Sequence, residues 1–310
     1  MSHAVETERL GRQFGSRAAL ADVSLTVREG EMFALLGPNG SGKTTLFRIL
    51  STLLPPTSGV ARVGGDDVVR EPMAVRHHLG VVFQSPALDP QLTVAENLRC
   101  AGQLYGIRGP DLENRLRAAA EALEVGDRLH DRVHTLSGGL QRRVEIAKSL
   151  LPRPRVLLLD EPSTGLDPGA RAGLRALLAK LRRDSGVTIV MTTHLLDEAE
   201  ACDRVAILHR GCLIACETPA VMRASLGRDV AVLSGKDPDA LAAQVRTKFG
   251  WPVAVRDGKV RVAVPAGADN AALLVAAVTA AADTVTVGRP TLEDVFLEST
   301  GESFREEEER

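Results

Sequence analysis

The stretch MFALLGPNGSGKTTLFRIL, residues 32–50, joins an apolar run to a glycine-rich loop and then to apolar residues at helical spacing. A short continuous apolar run suits a strand buried on both faces, so the order reads strand, loop, helix. Inside it Gly37, Gly42, Lys43 and Thr44 match G-x-x-x-x-G-K-[ST]. Glycines at those places let backbone N–H groups curl around a phosphate, and the following helix adds its positive end. Gly37, Pro38, Asn39, Gly40, Ser41, Gly42, Lys43, Thr44 and Thr45 are therefore candidate nucleotide ligands. Lys43 is suited to the β- and γ-phosphates, and the Thr44 hydroxyl to Mg2+.

Downstream, RVLLLDEP (residues 155–162) supplies the acid that such a loop requires. Its apolar residues end in Asp160 and Glu161, which puts two carboxylates at the carboxyl end of a second buried strand. Ligands of open α/β sheets bind there. Asp160 is expected to hold Mg2+ through its water shell, and Glu161 to act as general base on a water. A third buried strand, residues 187–192, follows a helix with Leu174, Leu177, Leu178 and Leu181 on one face. These elements predict an α/β core, and its strand–loop–helix and Asp-Glu strand resemble those of the P-loop NTPase (RecA-like) fold.

The middle of the chain reads as helix. Thr93 and Glu96 have capping-box spacing, and Leu98, Ala101 and Tyr105 follow at helical intervals. A second stripe runs through Leu112, Leu116, Ala119 and Leu123. A third begins in HTLSGGLQRR, residues 134–143, with Leu140, Val144, Ala147 and Leu151 inward and Pro152 beyond the last turn. A helical subdomain at about residues 86–153 is thus inserted into a domain spanning residues 1–222. HTLSGGLQRR is itself a glycine-rich loop opening onto a helix, a second place fit for an anion.

Beyond that domain, residues 223–300 change pattern. A strand near residue 230, a helix at 237–248, strands at 253–255 and 260–264 joined through Asp257-Gly258, an Ala-rich helix and a strand at 284–287 follow one another. That order, β-α-β-β-α-β, predicts a small α+β, ferredoxin-like domain. Residues 301–310 read as a charged, solvated tail.

Composition narrows the classes. A formal net charge of -2 argues against a dedicated nucleic-acid binder, so no nucleic acid is expected as partner. Four scattered cysteines do not complete a metal set, although Cys212 and Cys216 could pair; free thiols in a reduced cytoplasm are the expectation. The longest apolar run, residues 271–282, is too short to span a bilayer, so any membrane part must come from another chain.

With the loop, the Asp-Glu pair and LSGGLQ (residues 136–141) in register, the chain resembles the nucleotide-binding subunits of ATP-binding cassette (ABC) transporters. LSGGLQ resembles the family signature, and STGLD, residues 163–167, the D-loop. Gln84 stands where the Q-loop glutamine would be, and His194 resembles the switch histidine. Phe14 occupies the place of the aromatic that stacks on adenine. The resemblance implies a homodimer, or a dimer with a homologous subunit, closed head to tail over ATP and Mg2+. Ser137, Gly138, Gly139, Gln141 and Asp167 would then serve the nucleotide of the other subunit. Gln84 would join Thr44 and Asp160 at the metal, and Gln84, His194, Lys43 and Glu161 would carry hydrolysis.

TLEDVFLESTG, residues 291–301, resembles a segment of the daunorubicin-resistance-like drug exporters. Those ATPases pair with separate integral-membrane permeases of the ABC-2 type. The branch implies a subunit peripheral on the inner face of the cell membrane that powers export of drugs, lipids or other hydrophobic compounds. An importer ATPase, or a soluble cassette acting on a ribosome or nucleic acid, is the alternative. Translation-type cassettes usually come two to a chain and DNA-repair types carry heptad insertions; this sequence has one cassette and no such insertion.

Overall fold

The computed structural model describes residues 3–256, 258–265, 267, 269–278 and 281–301. Asp257 of the expected turn and the charged tail after Gly301 lie outside them. The described chain separates into two compact units, residues 3–218 and 219–301.

A six-stranded sheet organises the first unit, in the order Cys212–Glu217, Arg204–His209, Met32–Leu36, Thr188–Thr193, Val156–Asp160 and Leu79–Val82. All neighbours are parallel except the edge pair of Cys212–Glu217 with Arg204–His209. Met32–Leu36, Val156–Asp160 and Thr188–Thr193 are buried at every residue, which is why their sequences are continuously apolar or Thr-rich rather than alternating.

A second, antiparallel sheet orders Arg17–Arg28, His3–Phe14, Ser58–Val63 and Asp66–Asp67. Its two 12-residue strands carry bulges that shift the register between Thr7 and Leu10 and between Leu10 and Arg12. Arg9 sits at the first with φ 48°, and Asp22 at the second with φ 55°. The bulges break the period-2 alternation that would advertise these strands in the sequence. One apolar core containing Val5, Val23, Phe33, Leu35, Leu46 and Phe47 joins this sheet, the six-stranded sheet and the helix Lys43–Leu50.

The helical arm comprises Val94–Leu104, Gly109–Ala122 and Gly138–Leu150. Thr93 and Glu96 form the reciprocal capping box. Two expectations for the arm change. Tyr105 caps the C-terminus of its helix and is 54% exposed, because the helix ends one residue before it. Leu140 is only half-buried, whereas Arg142 and Glu145 of the same helix are buried. Among the described residues no helix is long and apolar enough to cross a membrane.

In the second unit the order is strand Arg228–Ser234, helix Pro238–Phe249, strands Val253–Arg256 and Lys259–Pro265, helix Asn270–Val278 and strand Thr284–Gly288. Lys259–Pro265 lies between and antiparallel to Arg228–Ser234 and Val253–Arg256, and Thr284–Gly288 adds to the other edge of Arg228–Ser234. The helix Leu292–Thr300 packs on Pro219–Ser225 and buries Leu292, Val295 and Phe296. Arg261 ties it to the sheet through Glu293 at 3.1 Å and Asp294 at 2.7 Å.

Candidate active site

Four neighbouring parallel strands each end in a candidate residue. Leu79–Val82 leads to Gln84, Val156–Asp160 to Glu161, Thr188–Thr193 to His194, and Met32–Leu36 to Gly37. Residues far apart in sequence thus meet at one edge of the sheet, the carboxyl end where open α/β sheets take ligands.

The loop after Met32–Leu36 is shaped for a bound anion. Gly42 has φ 108°, and a Cβ there would come within 2.7 Å of the Ala19 carbonyl, so only glycine fits. A Cβ on Gly37 would strike the Leu208 carbonyl. Lys43 is 4% exposed, and its Nζ donates to the carbonyls of Gly37 at 2.6 Å and Pro38 at 3.0 Å. Among the described residues the buried Ser41 hydroxyl has no hydrogen-bond partner, an observation that fits phosphate oxygens as acceptors. A cleft of about 350 Å³ opens here, lined by Phe14, Arg17, Ala19, Asn39, Gly40, Gly42, Lys43, Thr44, Thr45 and Glu161. The Arg12 guanidinium covers one face of the Phe14 ring at 4.6 Å from its centroid, and the ring is 47% exposed.

Both carboxylates are buried, and their environments move them in opposite directions. Asp160 accepts from Thr192 Oγ1 at 2.6 Å, yet burial, seconded by the charge of Glu161, lifts its carboxyl above the usual range. Glu161 lies 3.3 Å from His194 Nδ1 and 3.8 Å from Lys43 Nζ, and accepts from Thr164 Oγ1 at 3.0 Å. His194 above all, then Lys43 and Thr164, hold its carboxyl below the usual range against burial. Glu161 is thus a charged acceptor facing the cleft, at the strained φ of 45°.

The signature lies elsewhere. Among the described residues, none of Ser137, Gly138, Gly139, Gln141 and Asp167 lines the cleft. Ser137 is the N-cap of Gly138–Leu150, its hydroxyl accepting from Leu140 N at 3.4 Å. Asp167 caps Pro168–Ser185 by accepting from Ala170 N at 2.9 Å. Gln141 turns back on its own chain and donates to the carbonyls of Val133 at 3.1 Å and Leu136 at 3.0 Å, shaping the signature turn. The start of this helix packs beside the D-loop, since a Cβ on Gly138 would lie 3.8 Å from Leu166 and one on Gly139 3.2 Å from Ala170.

The sequence pattern of the ABC transporter family matches residues 20–164, which hold the loop, the signature and both carboxylates. The chain is 36% identical to a daunorubicin resistance ATP-binding protein of Streptomyces coeruleorubidus, with 98% of each chain covered. The chain belongs to the ABC transporter family. It is one of the ATP-binding, ATP-hydrolysing ABC subunits. A linearmycin resistance ATP-binding protein of Bacillus subtilis is 30% identical over 97% of this ABC subunit and 100% of its own length. Among solved structures, an ATP-binding cassette captured as a dimer in a post-hydrolysis state with ADP and Pi superposes with a TM-score of 0.62. That match is 29% identical and covers 69% of this chain and 98% of the other.

Several residues of the ABC site carry no local motif. Thr192 is opposite Asp160 in the strand register, and Arg17 reaches the cleft from the start of Arg17–Arg28. Arg142 binds the backbone carbonyl of Gln84 at 3.3 Å. Nothing local marks the last of these in the sequence, because Arg142 lies off the apolar stripe of its helix and its partners are backbone carbonyls.

Proposed function

We propose that this subunit powers a two-component exporter. The observation that carries the chemistry is the Glu161 carboxylate held at the cleft between Lys43 and His194. Phe14 stacks the base, backbone N–H groups of residues 37–45 cradle the phosphates, and Lys43 neutralises the β- and γ-oxygens. Thr44, Asp160 and Gln84 would hold Mg2+, whose charge would offset that building up on the transferred phosphoryl group. Glu161 takes the proton of the attacking water, and His194 keeps Glu161 ionised and aligned for it.

Two copies, or one copy and a homologous subunit, close head to tail over the nucleotide. This reading is supported by the separation of Ser137, Gly138 and Gly139 from the phosphate cleft of their own chain. A capped helix start offers backbone donors and a positive dipole end to an anion brought by another subunit. Nucleotide bound more tightly in the closed state drives closure by that difference in affinity. The small C-terminal domain, expected from the sequence over residues 223–300, is taken to belong with the exporter branch.

Export is supported by near-full-length similarity to a daunorubicin resistance and a linearmycin resistance ATP-binding protein. An ABC-2 type permease and a place on the inner face of the membrane follow from the resemblance of residues 291–301 to that exporter branch. The test is capture of Glu161→Gln protein with MgATP from detergent-solubilised membranes of its host, followed by mass spectrometry. A stoichiometric multi-span partner with no cassette of its own is expected. Recovery of ribosomal proteins instead would overturn the exporter reading.

A further inference from the structure

The helix Gly138–Leu150 buries charge as well as apolar surface. Arg142 and Glu145 are 7% and 4% exposed, one turn apart, and pair at 2.9 Å. Both also hold backbone. Arg142 donates to the carbonyls of Phe83 at 2.8 Å and Gln84 at 3.3 Å. Glu145 accepts the Ala87 N–H at 2.7 Å, and Lys148, a further turn along, donates to the Ala87 carbonyl at 2.6 Å. Three side chains on one face of the helix therefore grip both ends of residues 83–87.

Stability alone is a poor reason for such a pair. Desolvation of two buried charges offsets their attraction, and an apolar pair of similar volume serves a core as well or better. An apolar pair cannot satisfy the carbonyls of Phe83 and Gln84 and the N–H of Ala87. The pair is matched to that backbone.

The same helix reaches from the core sheet to the signature. Near its C-terminal end it touches the core sheet, where a Cβ on Gly80 would come within 2.6 Å of the Ser149 carbonyl. Its other end carries Ser137. Phe83 stands between the two bodies. Its ring meets Phe47 of the phosphate-loop helix edge-on, with centroids 5.7 Å apart, while its carbonyl belongs to Arg142.

We propose that Arg142 and Glu145 are positioning residues that tie Gln84 to the signature helix. With both ends of residues 83–87 held to that helix, the signature and Gln84 take up their positions together. Phe83 is the joint. The inference rests on the role given to Gln84 above.

The test compares wild type, the volume-conserving pair Arg142→Met with Glu145→Leu, Arg142→Lys, Gln84→Ala and their combination. Arg142→Lys keeps a charge for Glu145 but offers a point donor in place of the planar fork. Three quantities are measured: ATP affinity without turnover, kcat, and amide hydrogen exchange. For the apolar pair, ATP affinity stays at the wild-type value while kcat falls about tenfold, the scale of coupling carried by such contacts. Residues 84–87 exchange faster while residues 138–150 keep their protection. Adding Gln84→Ala to the pair lowers kcat no further than Gln84→Ala alone, as for groups acting through one another. Arg142→Lys falls between wild type and the pair, and carries the same test should the pair not fold. Wild-type kcat in these variants, or losses that multiply with Gln84→Ala, would overturn the inference. Absence of turnover in the wild-type protein would instead strike the functional reading beneath it.

Discussion

Asp160 and Glu161 are adjacent, both buried, and shifted in opposite directions for different reasons. Burial dominates at Asp160 and raises its carboxyl, so the folded chain binds that proton more tightly than the unfolded chain does. Its charged form therefore costs stability above the folded pKa, and the cost vanishes below the unfolded value. Asp160→Asn keeps an oxygen for Thr192 and removes the charge. It should raise the Tm of the nucleotide-free protein at neutral pH while removing hydrolysis. A fall in Tm by calorimetry would contradict this account. Glu161 has the reverse sign: His194 lowers its carboxyl, so its stabilisation is present above the unfolded value and lost as pH falls through the folded one. In His194→Ala the Glu161 midpoint, followed by carboxyl-carbon NMR, should move up; an unmoved midpoint would detach His194 from the role given to it. Both acids were legible in the sequence, because a strand followed by Asp-Glu is a local pattern. Thr192 was not, because its partnership with Asp160 exists only through the register of two strands.

Helix starts differ in what their caps hold. The Ser137 hydroxyl lies 3.4 Å from Leu140 N, a long contact, whereas the Asp167 carboxylate accepts from Ala170 N at 2.9 Å. Loss of the first cap should cost about 0.5 kcal/mol, the low end of the range for caps, and loss of the second about 1 kcal/mol or more. Urea denaturation of Ser137→Ala and Asp167→Ala checks the order. Ser137→Ala should nevertheless lose much of its ATP hydrolysis, because its hydroxyl is proposed to face a partner's phosphate. Near-normal turnover would leave Ser137 a cap only. The arm helices were readable from their stripes, and Thr93 with Glu96 from spacing alone. The strands His3–Phe14 and Arg17–Arg28 were not, since bulges at Arg9 and Asp22 interrupt their alternation. The charged face of Gly138–Leu150 escaped for another reason: its partners are backbone groups of residues 83–87, which have no sequence signature.

At the scale of the molecule, one phosphate loop and one signature that lines no part of its cleft make an incomplete site. If a second subunit completes it, closure must depend on both features while nucleotide capture depends on one. Glu161→Gln removes the base but leaves Lys43, the loop amides and the cleft intact, so hydrolysis should fall by about 100-fold or more. Bound ATP then persists, and sedimentation with MgATP should show a dimer where the nucleotide-free protein is monomeric. Ser137→Arg added to Glu161→Gln sets a bulky cation at the helix start, outside the cleft. The variant should bind ATP with the affinity of the Glu161→Gln monomer and sediment as a monomer at every ATP concentration. A dimer that survives Ser137→Arg would remove the signature from the interface. Loss of ATP binding by the monomer would place the signature in its own subunit's site, against the separation seen in the fold. Unchanged capture with abolished dimerisation is the one outcome that requires two chains to hold one nucleotide.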